Sequence, residues 1–369
     1  MTKLNSFVQL FSNKKILITG HTGFKGSWLS AWLHLLGSDV HGVSLDTPPS
    51  IPSHFEAAEL SKFVIDQRID IKKSNELSDC VNDIKPDFVF HLAAQTTVRQ
   101  SYDDPVDTYH TNVLGTLNLL EALRLLGKNC IVVLITSDKS YNNLEWVWGY
   151  RETDALGGPD PYSASKGAAE LVIRSHVKSF FPLNGNVHIA VARAGNVIGG
   201  GDWAKDRIVP DCVRSWYNNE TLQIRNPKFT RPWQHVLEPL SGYLTLAKRL
   251  HDQRELHGEP FNFGPPAHQN HSVQELVQAM SEYWKKVRWE KNSETVEDPY
   301  ESGLLKLNCD KALHHLHWQA VLSFQDTVRM TAEWYKSYYE NSSLIRDVTF
   351  SQIEEYKAIA QEKGLKWAL

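Results

Sequence analysis

The stretch Lys14-Lys-Ile-Leu-Ile-Thr-Gly-His-Thr-Gly-Phe-Lys-Gly26 decides the fold. A β-branched, apolar run leads into glycines at 20, 23 and 26. A helical pattern follows, with Trp28, Leu29, Trp32, Leu33 and Leu36 on one face. Strand, glycine turn and helix start in that order make a cradle for a pyrophosphate. Small residues let the backbone approach the anion, and the N–H groups of the first helical turn face it. Bare glycine spacing is weak, but this context, close to the chain start, strengthens it. Thr22, Phe24 and Lys25 belong to the same turn and are candidate cofactor contacts with Gly20, Gly23 and Gly26.

Outward from this turn, short apolar runs at 40–46, 63–69, 87–94, 130–136 and 188–192 read as strands. Helical patterns cover about 105–126 and 163–180. Such alternation predicts an α/β fold, a doubly wound parallel sheet with helices on both faces. After about Ala194 the texture changes: Gly199-Gly-Gly201 and Pro210, Pro227, Pro232, Pro265 and Pro266 cut the chain into shorter pieces. The reading is a dinucleotide-binding domain over 1–195, with a return segment at about 234–260. A smaller α/β substrate domain takes 196–233 and 261–369.

A chain of 369 residues is long for one simple core, which agrees with two domains. Its net charge of −4 gives no global basic field for nucleic acid, so an anionic ligand needs a local cluster of Arg and Lys. Cys80, Cys130, Cys212 and Cys309 are scattered, with neither disulfide nor zinc spacing, and no metal is expected. No stretch approaches the length of a membrane span, and a cytoplasmic protein is expected.

Asp46 is read as the end of the second strand. An acid there accepts hydrogen bonds from an adenosine ribose and repels a 2′-phosphate, which favours NAD over NADP. Asp70 and Ile71, after the third strand, are placed at the adenine edge. The fifth apolar run, 130–135, ends in Thr136-Ser-Asp-Lys139, which puts a hydroxyl, a carboxylate and an amine in a loop beyond a core strand. Tyr162 and Lys166 share a helix face at i, i+4. A lysine ammonium beside a phenol favours phenolate, so the Tyr162 pKa is expected to fall. A phenolate at a dinucleotide site can take a hydroxyl proton while hydride leaves the same carbon, with Ser137 bonding the substrate oxygen.

The glycine pattern, His91-Leu-Ala-Ala94, Asn112, Ser137 and the Tyr162/Lys166 pair resemble the extended short-chain dehydrogenase/reductase family. The likeness spans nearly the whole chain. The longer strings GHTGFKGSWL, TSDKSY, WVWGYRE, RAGNVIGGGDWAKDR and RPWQHVLEPLSGYL are similar to its nucleotide-sugar 4,6-dehydratases. The resemblance implies a Rossmann-type fold and NAD, with Leu92, Ala93, Ala94 and Asn112 added to the cofactor contacts. The narrower strings imply CDP-glucose as substrate and its 4-dehydro-6-deoxy derivative plus water as products, for deoxysugar and cell-surface polysaccharide synthesis. Tyr162 then takes the 4-hydroxyl proton, Asp138 protonates the departing 6-hydroxyl, and Lys139 handles C5. Members acting on dTDP-glucose carry Glu where this chain has Lys139. A lysine base must be neutral when it acts; alternatively Lys139 stays charged and stabilises the enolate.

For the sugar nucleotide, Asn196, Lys205, Arg207, Arg225 and Arg231 are candidate contacts, with Arg207 and Arg231 foremost by family position. Guanidiniums offer bidentate forks to a pyrophosphate. Trp233 is a candidate wall. Glu152, beside Arg151, Trp146 and Trp148, is expected to close over the sugar, with Thr96 and Arg99 bordering it. The family implies a homodimer, or a dimer of dimers, through the helices near 114–126 and 168–177. Two other readings are a 4-epimerase or a dehydratase for another sugar nucleotide, and a non-catalytic redox sensor. Asp138 and Lys139 argue against the epimerase, and the intact Tyr/Lys pair against the sensor.

Overall fold

Seven strands make one parallel sheet in the order β7-β6-β5-β4-β1-β2-β3. They are β1 (Lys15–Thr19), β2 (Asp39–Ser44), β3 (Ile65–Arg68), β4 (Phe88–His91), β5 (Cys130–Ile135), β6 (Val187–Ala194) and β7 (Pro260–Phe263). The structure is a computed structural model and describes residues 6–48, 50–285, 287–291 and 303–369.

The central strands are buried on both faces, and period-two alternation sends successive side chains to two separate cores. Ile16 and Ile18 of β1, Phe88 and Phe90 of β4, and Ile131, Val133 and Ile135 of β5 enter one core. Leu17, Val89, Val132 and Leu134 enter the other. Helices cover both faces: α1 (Phe24–Leu35), α2 (Ser74–Ile84), α3 (Gly115–Arg124), α4 (Pro161–Phe180), α5 (Ile208–Tyr217) and α6 (Leu237–Asp252). The helix α4 starts where Pro161 occupies the first turn and the Asp160 side chain accepts from Ser163 N at 2.9 Å. By contrast, α1 starts at Gly23 with no side-chain cap, so its first N–H groups face the crevice above β1 and β4, where the strand order reverses.

Beyond β6 the chain forms three two-stranded units, pairing 197–198 with 234–235, 230–231 with 271–272, and 222–224 with 289–291. Two boundaries differ from the sequence reading. The expected cut after 260 falls inside β7, which pairs with β6 as the sheet's edge strand, so the return segment runs to 263. The last helices, α7 (Phe324–Glu340) and α8 (Ile345–Glu362), also return to the main body, with α8 packing on α1. The aromatic residues responsible, Trp32, Trp334, Tyr356 and Trp367, all sit in one core.

Candidate active site

A cavity of about 770 Å³ opens at the carboxyl ends of the strands and runs from the glycine turn to the segment 223–233. At the glycine end, Gly20 has φ +76°, and a Cβ there would lie 2.7 Å from Ala93 N. A Cβ at Gly26 would lie 2.1 Å from Gly20 O, so glycine is required for α1 to close on β1. Gly20, Thr22, Gly23, Phe24, Lys25 and Gly26 line this end with Asp70, Ile71, Leu92, Ala93 and Ala94. An uncapped helix start, a glycine cradle and an apolar slot fit a dinucleotide diphosphate and its adenine.

Two expected cofactor contacts lie elsewhere. The strand β2 ends at Ser44, not Asp46. Asp46 is exposed and outside the cavity lining, while Ser44 lines it and its hydroxyl bonds Thr22 at 2.6 Å. Asn112 is buried and faces the chain instead. It accepts from Gln95 N at 2.9 Å and donates to Ser165 Oγ at 2.8 Å, tying the loop after β4 to α4.

In the middle of the cavity the end of β5 meets α4. Ser137, Asp138 and Lys139 line it opposite Tyr162 and Lys166. Ser137 Oγ donates to Asp138 Oδ1 at 3.0 Å and accepts from Lys139 N at 3.2 Å, which fixes a tight turn over Asp138–Ser140. Asp138 is buried, and Asn196, held at φ +49°, donates to its Oδ2 at 3.3 Å. A Cβ at Gly195 would lie 1.8 Å from that same oxygen, so the glycine of the Arg193-Ala-Gly-Asn196 run makes room for the carboxylate. Lys139 is half-buried and has no carboxylate partner among the described residues.

The electrostatics depart from the expectation for Tyr162. Burial pushes its phenol up to about 12; Ser137 and Arg207 lower it and Asp138 raises it. Lys166 is instead brought down to about 8, first by burial and then by Lys25, against the pull of Glu170. Lys25 also falls to about 8 through burial, opposed by Asp138 and Asp202. Burial is the largest cause for all three groups, and it outweighs the expected lysine–tyrosine coupling.

At the far end, Thr96, Arg99, Asn196, Lys205, Arg207, Arg225, Arg231 and Trp233 line the cavity. Several of these cations already have partners. Arg207 Nη1 bonds Asp202 Oδ2 at 2.8 Å, and Arg99 pairs with Asp206 at 3.3 Å. Arg231 donates to the carbonyls of Thr230 at 2.9 Å and Gly303 at 3.1 Å. Glu152 lies outside the cavity. Its Oε1 accepts from Asn262 N of β7 at 2.9 Å. Trp146 stacks on Tyr150, Trp148 is exposed, and Arg151 pairs with Asp154. None of these residues lines the cavity. Residues that the sequence reading passed over also line it, notably Ser44, His54, Lys72 and Asp202. Only Asp202 carried a signal, as the acid inside the glycine-rich string.

The family model described as GDP-mannose 4,6 dehydratase matches residues 17–331. The chain belongs to that family. Within the family's range of relatives, it is 46% identical over 340 residues to a CDP-glucose 4,6-dehydratase of Salmonella typhimurium, covering 91% of this chain and 94% of the relative. It is 25% identical to a CDP-paratose 2-epimerase of Salmonella typhi, over 88% and 99% of the two chains. Among solved structures, an epimerase from Methanothermobacter thermautotrophicus superposes with a TM-score of 0.78 at 24% identity, covering 94% of this chain and 98% of that one. A UDP-glucose-4-epimerase of Stenotrophomonas maltophila gives 0.75 at 21%, covering 89% and 99%. Both structures carry the same α/β fold as this member of the dehydratase family.

Proposed function

We propose that this chain is an NAD-dependent CDP-glucose 4,6-dehydratase, which converts CDP-glucose into CDP-4-dehydro-6-deoxyglucose and water. The observation that carries the reading is the Ser137-Asp138-Lys139 turn lining one cavity with Tyr162 and Lys166, between the glycine turn at one end and Arg207 and Arg231 at the other. The 46% identity to a CDP-glucose 4,6-dehydratase supports the cytidine nucleotide. The glycine cradle and the 70–71 and 92–94 walls would hold NAD, which when bound accepts hydride from C4 and gives it back at C6.

The protein's own groups move the protons. Tyr162 takes the 4-hydroxyl proton while Ser137 bonds the same oxygen, and the resulting 4-keto group acidifies the C5 hydrogen. Asp138 gives a proton to the leaving 6-hydroxyl, which departs as water. Lys139 serves C5: when neutral it takes the C5 proton and returns it after hydride reaches C6, and if it stays charged it stabilises the enolate while another group takes and returns the proton. Among the described residues no carboxylate pairs with Lys139, which suits either role. Lys166 and Lys25 supply positive charge above the cradle. Arg207 and Arg231 receive the sugar nucleotide's diphosphate, with Asp202 giving up its guanidinium to the ligand.

Two broader features belong to the same proposal. Val106, Tyr109, Leu114 and Leu171 are exposed apolar residues on the helical segments around 105–114 and 161–180, which supports a homodimer formed through them. Four free cysteines support a reducing compartment such as the cytoplasm, and deoxysugar synthesis for surface polysaccharide is the fitting role.

The test is incubation of the purified protein with CDP-glucose, with dTDP-glucose and GDP-mannose in parallel. The alkaline absorbance of a 4-keto sugar and a mass loss of one water are the readouts. Water loss from CDP-glucose is expected. Loss only from another nucleotide sugar overturns the substrate, and inversion at C4 without water loss overturns the reaction in favour of an epimerase.

A further inference from the structure

Glu170 and Arg193 form an ion pair with only 4% and 2% of their surfaces exposed. The desolvation cost of such a pair often exceeds its Coulombic gain, and apolar replacements are frequently as stable. Its bonds show what it holds. Arg193 Nε donates to Glu170 Oε1 at 2.7 Å, and Nη2 bonds the other carboxylate oxygen. The Thr136 hydroxyl also donates to Glu170 Oε1, at 2.7 Å. Arg193 Nη1 donates to Tyr141 Oη at 2.6 Å, with the guanidinium 4.7 Å from the centre of that ring. The Tyr141 hydroxyl donates in turn to Asn262 Oδ1 at 2.7 Å, on β7.

Thr136 immediately precedes Ser137, and Tyr141 closes the turn that follows. The two ends of the reactive turn are therefore held by one ion pair drawn from α4 and β6. Glu170 also lies one helical turn beyond Lys166 and two beyond Tyr162, on the same face of α4. We propose that the Glu170–Arg193 pair is a positioning device that fixes Ser137, Asp138 and Lys139 against Tyr162 and Lys166. The inference rests on the dehydratase reading for its catalytic consequence, but the clamp itself is a separate claim. Elimination of water needs Asp138 registered on the C6 hydroxyl and Lys139 on C5 while Tyr162 stays on the C4 oxygen, so both sides of the cavity must share one reference point. A displacement near 1 Å at such a site can cost about 100-fold in rate.

The experiment uses T136V, which removes one hydroxyl from one end of the clamp, Y141F, which removes it from the other, and E170Q, which keeps the shape and removes the charge. T136S restores the hydroxyl. Expected for each of the first three is a fall in kcat of about 10- to 100-fold with KM for CDP-glucose changed less than about twofold. T136S should recover wild-type kcat. Hydrogen exchange, measured without substrate, should show the amides of 137–141 exchanging about tenfold faster while β5 and β6 keep their protection. Wild-type kcat in T136V and Y141F overturns the inference. So does unchanged protection of 137–141, or an equal loss of protection in both strands, which marks a scaffold role only. A wild-type protein that acts on no nucleotide sugar sinks the dehydratase reading instead, and the exchange result still decides whether the clamp exists.

Discussion

The two ends of the cavity are built by different means. Around Tyr162 every reactive group stands at the end of a regular element: the turn after β5, the first turns of α4, the residues after β6. The turn after β5 is held by hydrogen bonds among Ser137, Asp138 and Asn196 and from Thr136 to Glu170. Around Arg207 and Arg231 the scaffold is a set of two- and three-residue pairings and loops, and the cations rest on Asp202, Asp206 and backbone carbonyls. The first end is preorganised, which suits groups that must register proton transfer to within fractions of an ångström. The second exchanges internal partners for a ligand, which suits the capture of a charged, flexible diphosphate.

This contrast can be broken experimentally. The largest effect is expected at the preorganised end. Tyr162→Phe should cut kcat about 10²- to 10⁴-fold with little change in KM or melting temperature, since it removes one hydroxyl used for proton transfer. A comparable rise in KM would place Tyr162 in binding and erase the difference between the two ends. At the exchangeable end, Arg207→Ala and Arg231→Ala should each raise KM for CDP-glucose about 10- to 100-fold while kcat stays within a few-fold, as for a lost charged hydrogen bond. Loss of kcat without loss of affinity would reverse the assignment.

A pH profile sharpens the same comparison. Lys166 and Lys25 are both held near 8, below the usual lysine value, so the ammonium forms are present below that pH and lost above it. The rate should therefore fall on the alkaline side of about pH 8, by roughly tenfold per unit once a required ammonium is lost. A kcat that still rises with pH there would assign the dominant role to a neutral lysine, and Lys139→Arg would separate the two uses of that residue. The smallest effect is expected for Asp46→Ala. Exposed and outside the cavity, Asp46 should change NAD affinity by less than about twofold, measured by titration of the purified protein. A tenfold loss would return it to the ribose site.

Much of this was legible in the order of residues. The glycine turn needs only local facts, since Gly20 and Gly26 sit where a Cβ would strike backbone. The apolar runs of 130–135 and 188–192 read as strands, and β5 and β6 cover them. The Ser137-Asp138-Lys139 turn and the Tyr162/Lys166 spacing were readable because each lies within a single element or just beyond one. Three residues expected at the site are outside the cavity lining. Asp46, Asn112 and Glu152 were judged by where they stand along the chain, but a polar residue near a site can as easily face a loop, a helix or a sheet edge.

What the sequence by itself determined was the α/β architecture, the glycine-turn cradle and the set of candidate reactive groups, because periodicity, turn chemistry and i, i+4 spacing act over a few residues. Only the tertiary structure decided which polar groups face the cavity, which cations are already paired, and that burial raises the Tyr162 phenol instead of letting Lys166 lower it. It also revealed that Thr136, Tyr141, Glu170 and Arg193, far apart in sequence, meet in one buried cluster. Burial and ion pairing are set by every element that packs around a group, and that environment is assembled only when the sheet closes.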